Sequence, residues 1–133
     1  MKNRSELREI IMKVIYQTLL LDEFNLEELI KEQIEVENEF VNDTCKGIID
    51  NKDNIYKLAN KYLKDWKMDR LNKVDQAIIC LGIYELMYTD TPSVVCINET
   101  IELSKVYSDQ EVTKMINACM DKIYKNEDLH GKQ

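Results

Sequence analysis

Three glycines and one proline in 133 residues leave this chain almost without the turn chemistry that sheet folds depend on. An all-β domain turns every ~8–12 residues and draws on glycine and proline to do it. The same scarcity excludes a glycine-rich phosphate loop and a dinucleotide fingerprint, both of which need several glycines close together. The chain instead places apolar residues at three- and four-residue intervals, the period of a helix with one buried face. The fold class is all-α.

Six or seven helices and no strand follow from the pattern. Leu7, Ile10, Ile11, Val14, Ile15 and Leu19 form the first stripe, with Ser5 as the expected N-cap and Arg4, Arg8, Lys13 and Gln17 on the opposite face. Asn25 followed by Glu28 is a capping-box pattern, and Leu26, Leu29, Ile30 and Ile34 follow it. Val41, Thr44, Cys45, Ile48 and Ile49 predict a third helix, and Ile55, Leu58, Ala59, Tyr62 and Leu63 a fourth. From Leu71 to Tyr88 the chain is apolar all round, as a central helix with neighbours on several sides would be. Gly82 inside it predicts close approach of another helix. Thr91-Pro92-Ser93 stops the chain and restarts it, and Val94, Ile97, Ile101 and Ser104, widened by Leu103 and Val106, predict the next buried face. Ser108 with Glu111 reads as a second capping box, opening a last helix with Val112, Met115, Ile116, Cys119, Met120 and Ile123 on one side. With no internal repeat or long linker, residues 1–126 read as one helical domain and 127–133 as a polar tail.

Little chemistry can be built from these residue types. The single histidine, His130, falls in the tail, so a Cys-His or Ser-His-Asp site has no well-placed base. The four cysteines at 45, 80, 96 and 119 form no CxxC pair, which argues against a zinc knuckle or a dithiol centre. Each lies in an apolar segment, as buried reduced thiols do in a reducing cytoplasm. Glu99 and Glu102, like Asp109 and Glu111, are explained by helix-surface solvation and by the positive end of a helix dipole. No catalytic site, cofactor site or metal site is expected. No apolar run approaches the ~18 residues of a membrane span, so the chain is read as cytoplasmic.

Charge is unevenly distributed. The formal net charge is −7, which argues mildly against a nucleic-acid partner. The acidic excess, however, is concentrated in residues 21–53, where eleven acids face three lysines. The N-terminal 20 residues carry Lys2, Arg4, Arg8 and Lys13 against only Glu6 and Glu9. Tyr16, Tyr84, Tyr88 and Tyr107 lie near the ends of apolar segments. Basic groups beside aromatic rings suit single-stranded RNA, whose bases stack on flat surfaces; an amphipathic tyrosine at the edge of a core explains the same positions.

Four stretches, in order, resemble the NusB family. Pro92 to Lys105, read as PSVVCINETIELSK, is similar to that family's "P..VAINEAIELAK" segment. Arg4, Arg8, Glu9 and Tyr16 resemble its opening helix. Val74-Asp75-Gln76-Ala77-Ile78-Ile79 leading to Tyr84-Glu85-Leu86 resembles its "VDRAILRLAXYEL" helix, and Lys114 to Lys122 resembles "KFVNGVLDK". The chain departs from the pattern at Ser5, Cys80, Tyr107-Ser108, Met115 and Ala118, where the family has arginine, arginine, Phe-Gly, phenylalanine and glycine.

The resemblance implies two small helical bundles packed across each other, and a non-enzymatic adaptor for transcription antitermination. It implies binding of boxA-type RNA of ribosomal RNA transcripts, together with the small-subunit ribosomal protein that acts as NusE, in a complex with RNA polymerase. Carried over by position, the RNA surface falls on Lys2, Arg4, Arg8, Tyr16, Glu111, Lys114 and Met115. The partner-protein surface falls on Asp69, Asp75 and Glu85, where acids would meet a basic protein. With the departures above, weak binding to RNA alone is expected, strengthened when the partner adds contacts. Two other readings stay open: a helical protein-protein module with no intrinsic RNA binding, and the helical domain that precedes some ribosomal RNA cytosine methyltransferases, against which the chain's length argues. A homodimer also stays open.

Overall fold

The computed structural model describes residues 1–129 and 131–132; the expectation for His130 lies outside them. Among the described residues the chain forms seven α-helices, one 3-10 turn and no strand. The helices are α1 (Arg4–Leu20), α2 (Leu26–Gln33), α3 (Glu39–Asp50), α4 (Lys52–Tyr62), α5 (Lys73–Tyr88), α6 (Ser93–Tyr107) and α7 (Gln110–Asn126), with the 3-10 turn at Met68–Arg70 before α5.

Local chemistry sets most helix starts. A helix leaves its first N–H groups unpaired, and an Asn or Asp side chain just before it accepts one of them. Asn3 caps α1 in a reciprocal box with Glu6: its Oδ1 accepts the Glu6 N–H at 2.8 Å while its own N–H donates to Glu6 Oε1 at 3.1 Å. The cap expected at Ser5 thus lies two residues earlier. The Asn25, Asn38 and Asp109 side chains cap α2, α3 and α7 by accepting the N–H of Glu28, Val41 and Val112, without the reciprocal bond. Asp109, not Ser108, opens α7, because the Ser108 hydroxyl is donated to Asp75 on α5.

α5 is the central element. It packs against α1, α3, α4, α6 and α7, and so joins the mutually packed α1, α2 and α3 to α6 and α7. Eleven of its 16 residues are buried, Ile78, Ile79 and Ile83 among them. Fully burying each such side chain stabilises the fold by about 1.5–3 kcal/mol. Gly82 is where α6 comes closest: a Cβ there would lie 2.5 Å from Thr100 Oγ1 and 2.9 Å from its Cγ2. That approach rotates α6 relative to its expected face. Ser93, Cys96, Thr100, Leu103 and Ser104 are buried, while Val94 and Val106 are 64% and 70% exposed. Two of the buried hydroxyls are satisfied locally, Thr100 donating to Cys96 O at 2.7 Å and Ser104 to Ile101 O at 2.9 Å, while the Ser93 hydroxyl finds no partner among the described residues.

Described residues of the segment set apart as a polar tail dock on the bundle. Glu127 accepts from Lys61 Nζ at 3.0 Å and from the Tyr62 hydroxyl at 2.5 Å, and Leu129 joins the core. Lys132 Nζ donates to the carbonyls of Glu85 and Leu86 at 2.6 and 2.9 Å, placing a cation at the negative end of α5.

Candidate nucleic-acid interface

The N-terminal basic residues divide into surface and interior groups. Lys2 and Arg4 are exposed. The Arg4 guanidinium lies 3.9 Å from the centroid of the Phe40 ring on α3, a cation–π contact that presets its direction. Arg8, one turn on, is only 5% exposed. Its Nε donates to Glu85 Oε1 at 2.5 Å, its Nη2 to Glu85 Oε2 at 3.0 Å and its Nη1 to Glu99 Oε1 at 3.0 Å. Ser5 also donates to Glu99, and Thr91 to Glu85 at 3.3 Å. Burial works against the Arg8 charge, but the two carboxylates outweigh it and hold the guanidinium above its ordinary pKa.

This corrects two placements at once. Arg8 is not presented to a phosphate, and Glu85, 2% exposed, is not presented to a protein; each neutralises the other inside the bundle and ties α1 to α5. Asp75, 3% exposed, is likewise interior and accepts from Ser108. Burial, with Asp109 nearby, raises its pKa against the opposing effect of the Ser108 hydroxyl. Of the three acids assigned to a partner protein, Asp69 alone is exposed.

The last turn of α6 touches α1 through Tyr107 and adjoins the start of α7 through Lys105. Tyr107 lies beside Glu9 and Lys13 of α1; burial first, then the Glu9 carboxylate, raise its hydroxyl pKa. Two residues earlier, Lys105 shares a groove with Ser108, Asp109, Gln110, Thr113 and Lys114 at the start of α7. The Ser104 hydroxyl, its own proton on Ile101 O, accepts from the Thr113 hydroxyl at 3.0 Å and fixes α6 to α7 there. Lys13 pairs with Glu9 at 3.6 Å and Lys105 with Glu102 at 3.5 Å, both at the surface. Lys114 is exposed and forms no ion pair among the described residues. Tyr16 is half-buried against the core. Lys13, Lys105 and Tyr107 were missing from the expected site, although a lysine two residues before the end of one helix and a tyrosine at that end are a readable signal.

Glu111 and Met115 face the other side of α7's first turns. They line a second groove with Trp66, Arg70, Leu71, Asn72, Asp75, Asp109 and Val112, so they adjoin Asp75 rather than the α1 strip.

The four thiols are free and buried; burial pushes Cys45, Cys80 and Cys119 up to about 12, which makes them unreactive. No group of acids, cysteines or histidines among the described residues is arranged to hold a metal ion, and none of their helices is long and apolar enough to cross a membrane.

A family model described as "NusB family" matches residues 5–125. The chain belongs to the NusB family. Transcription antitermination protein NusB of Methylacidiphilum infernorum is 35% identical to it, over 95% of this chain and 93% of that protein. T. maritima NusB superposes with a TM-score of 0.82 at 29% identity, covering 95% of this chain and 94% of the other. A chain from a crystal structure of antitermination factors NusB and NusE in complex with dsRNA gives 0.81 at 25% identity, covering 92% and 96%. Across that NusB fold, the residue substitutions noted above change what individual positions offer: Met115 presents a thioether to its groove, and Cys80 a buried thiol.

Proposed function

We propose that this protein is a non-enzymatic RNA-binding adaptor of transcription antitermination in the cytoplasm. It binds boxA-type RNA of ribosomal RNA transcripts jointly with the small-subunit ribosomal protein that acts as NusE, and so serves the antitermination complex on RNA polymerase. The observation that carries this reading is a set of surface lysines on adjoining helices: Lys13 beside Tyr107 where α1 meets α6, and Lys105 with Lys114 in the groove between α6 and α7. Lys2 and Arg4 extend the basic surface along the N-terminus, Tyr16 flanks it, and Glu111 and Met115 line a separate groove on the other side of α7's first turns. Membership of the family, and the NusB–NusE–dsRNA assembly of a structural relative, support RNA and a ribosomal protein as partners. Asp69 is the acid best exposed for a basic protein on the assigned side; Asp75 and Glu85 act from within, by holding α5 to Ser108 and to Arg8.

The alternative, a protein-protein module without intrinsic RNA binding, draws on the commitment of Arg8 and Lys13 to the chain's own acids. Fluorescence polarisation of a labelled boxA-type RNA, at low and moderate salt and with and without the ribosomal protein, separates the two. Weak binding alone and clearly tighter binding with the partner supports the adaptor. Partner binding that never recruits RNA would refute it.

A further inference from the structure

The loop between α4 and α5 carries a second basic and aromatic surface. Residues 64–73 read KDWKMDRLNK. Leu63, Met68 and Leu71 are buried and anchor this loop to the core, and the Met68 N–H donates to Asn60 Oδ1 at 2.8 Å. Asp65 takes a left-handed turn at φ 65°, a conformation to which Asp is among the better suited L-residues. Thus held, the loop turns Trp66 outward, 45% exposed, although a tryptophan is worth more to a fold when its large ring is covered. Lys64, Lys67, Arg70 and Lys73 are all exposed, and none forms an ion pair among the described residues.

We infer that this loop is a single-stranded RNA contact, in which a base stacks on Trp66 in the groove beside Met115 while Lys67 and Arg70 engage the flanking phosphates. The inference rests on the RNA-binding reading above and extends the RNA path from the α6–α7 junction around the start of α7. The groove's chemistry suits a base: an aromatic wall accepts any π-face, and the nearby carboxylates of Asp109 and Glu111 can accept from exocyclic amino groups, as acids do from cytosine. Unpaired cations on the same loop match a phosphate backbone and oppose a basic protein.

Trp66 is the chain's single tryptophan, so its emission reports the contact without a label. The full chain is titrated with a single-stranded boxA-type oligonucleotide while RNA binding is followed by polarisation. Expected are quenching of Trp66 on saturation, about tenfold weaker RNA binding in Trp66→Ala, and recovery to within about threefold in Trp66→Phe. Lys67→Ala with Arg70→Ala should make the salt slope shallower by about 1.4, at ~0.7 per phosphate. RNA binding that leaves Trp66 emission unchanged and is equal in Trp66→Ala overturns the inference while the adaptor reading stands. Quenching by the ribosomal protein but not by RNA also overturns it, assigning the loop to a protein. Absence of RNA binding in polarisation, with and without the partner, removes both.

Discussion

Arg8 and Glu85 meet edge to edge inside the bundle, Nε to Oε1 at 2.5 Å and Nη2 to Oε2 at 3.0 Å, with Glu99 closing the third side of the guanidinium. This bidentate pair joins α1 to the central helix and removes one arginine from the surface that the N-terminal charge suggests. Removing one partner of such a pair leaves an uncompensated buried charge, at about 3–5 kcal/mol. Arg8→Ala is therefore predicted to lower stability by that amount in chemical denaturation, with Arg8→Met plus Glu85→Leu recovering most of it. Arg4→Ala should change stability by less than about 1 kcal/mol, the scale of an exposed cation–π contact. Equal, small effects of the two single alanines would contradict the buried bridge.

Gly82 gives a packing prediction. Alanine favours a helix over glycine by about 0.5–1 kcal/mol, yet its methyl would meet Thr100, whose hydroxyl is already held by Cys96 O. Overpacking of this kind costs about 1–3 kcal/mol. Gly82→Ala should lower the melting temperature; a rise would mean that α5 and α6 are further apart than described.

Asp75 gives a pH prediction. Its pKa is raised by burial and by Asp109, so its folded state holds the proton more tightly than its unfolded state. That contribution is full below the unfolded value of 3.8 and is lost as pH rises through the raised folded value. Asp75→Asn, which can still accept from Ser108, should therefore be more stable than the parent at neutral pH, with the difference shrinking toward acid pH. Melting curves at several pH values check it; a gain largest at acid pH has the wrong sign.

The cysteines give a chemical one. With three thiols pushed up to about 12 and all four buried, a thiol reagent should label none of them in the native protein and all four after denaturation. Rapid labelling of the native chain would place a thiol at the surface.

The helices were legible in the sequence because their cause is local. Stripes at helical spacing, the Asn25 cap, the all-round apolar α5 and the close approach at Gly82 all follow from residues within a few turns. The polar interior was not legible. Arg8 lies 77 positions from Glu85 and 91 from Glu99, and a period of 3.6 can say that a side is polar but not that a distant carboxylate waits there. Asp75 was hidden in the same way, since its partner Ser108 looked like a cap. The docking of Glu127, Leu129 and Lys132 depends on Tyr62 and the open end of α5, neither of which marks a polar tail as ordered. The candidate RNA surface was legible in outline, as a basic N-terminus and a lysine on α7, but the pairing of Tyr107 with α1 and of Lys105 with Lys114 required the folded packing of α6.

The measurement that most directly tests the basic junction is the salt dependence of boxA-type RNA binding, with the ribosomal protein present, for the parent and for Lys105→Ala combined with Lys114→Ala. Both lysines are at the surface, and Lys105's pairing with Glu102 is exposed and weak, so the fold should be unaffected. Loss of two phosphate contacts predicts weaker binding and a slope shallower by about 1.4, at ~0.7 per contact. An unchanged affinity and an unchanged slope would contradict RNA binding at the groove between α6 and α7.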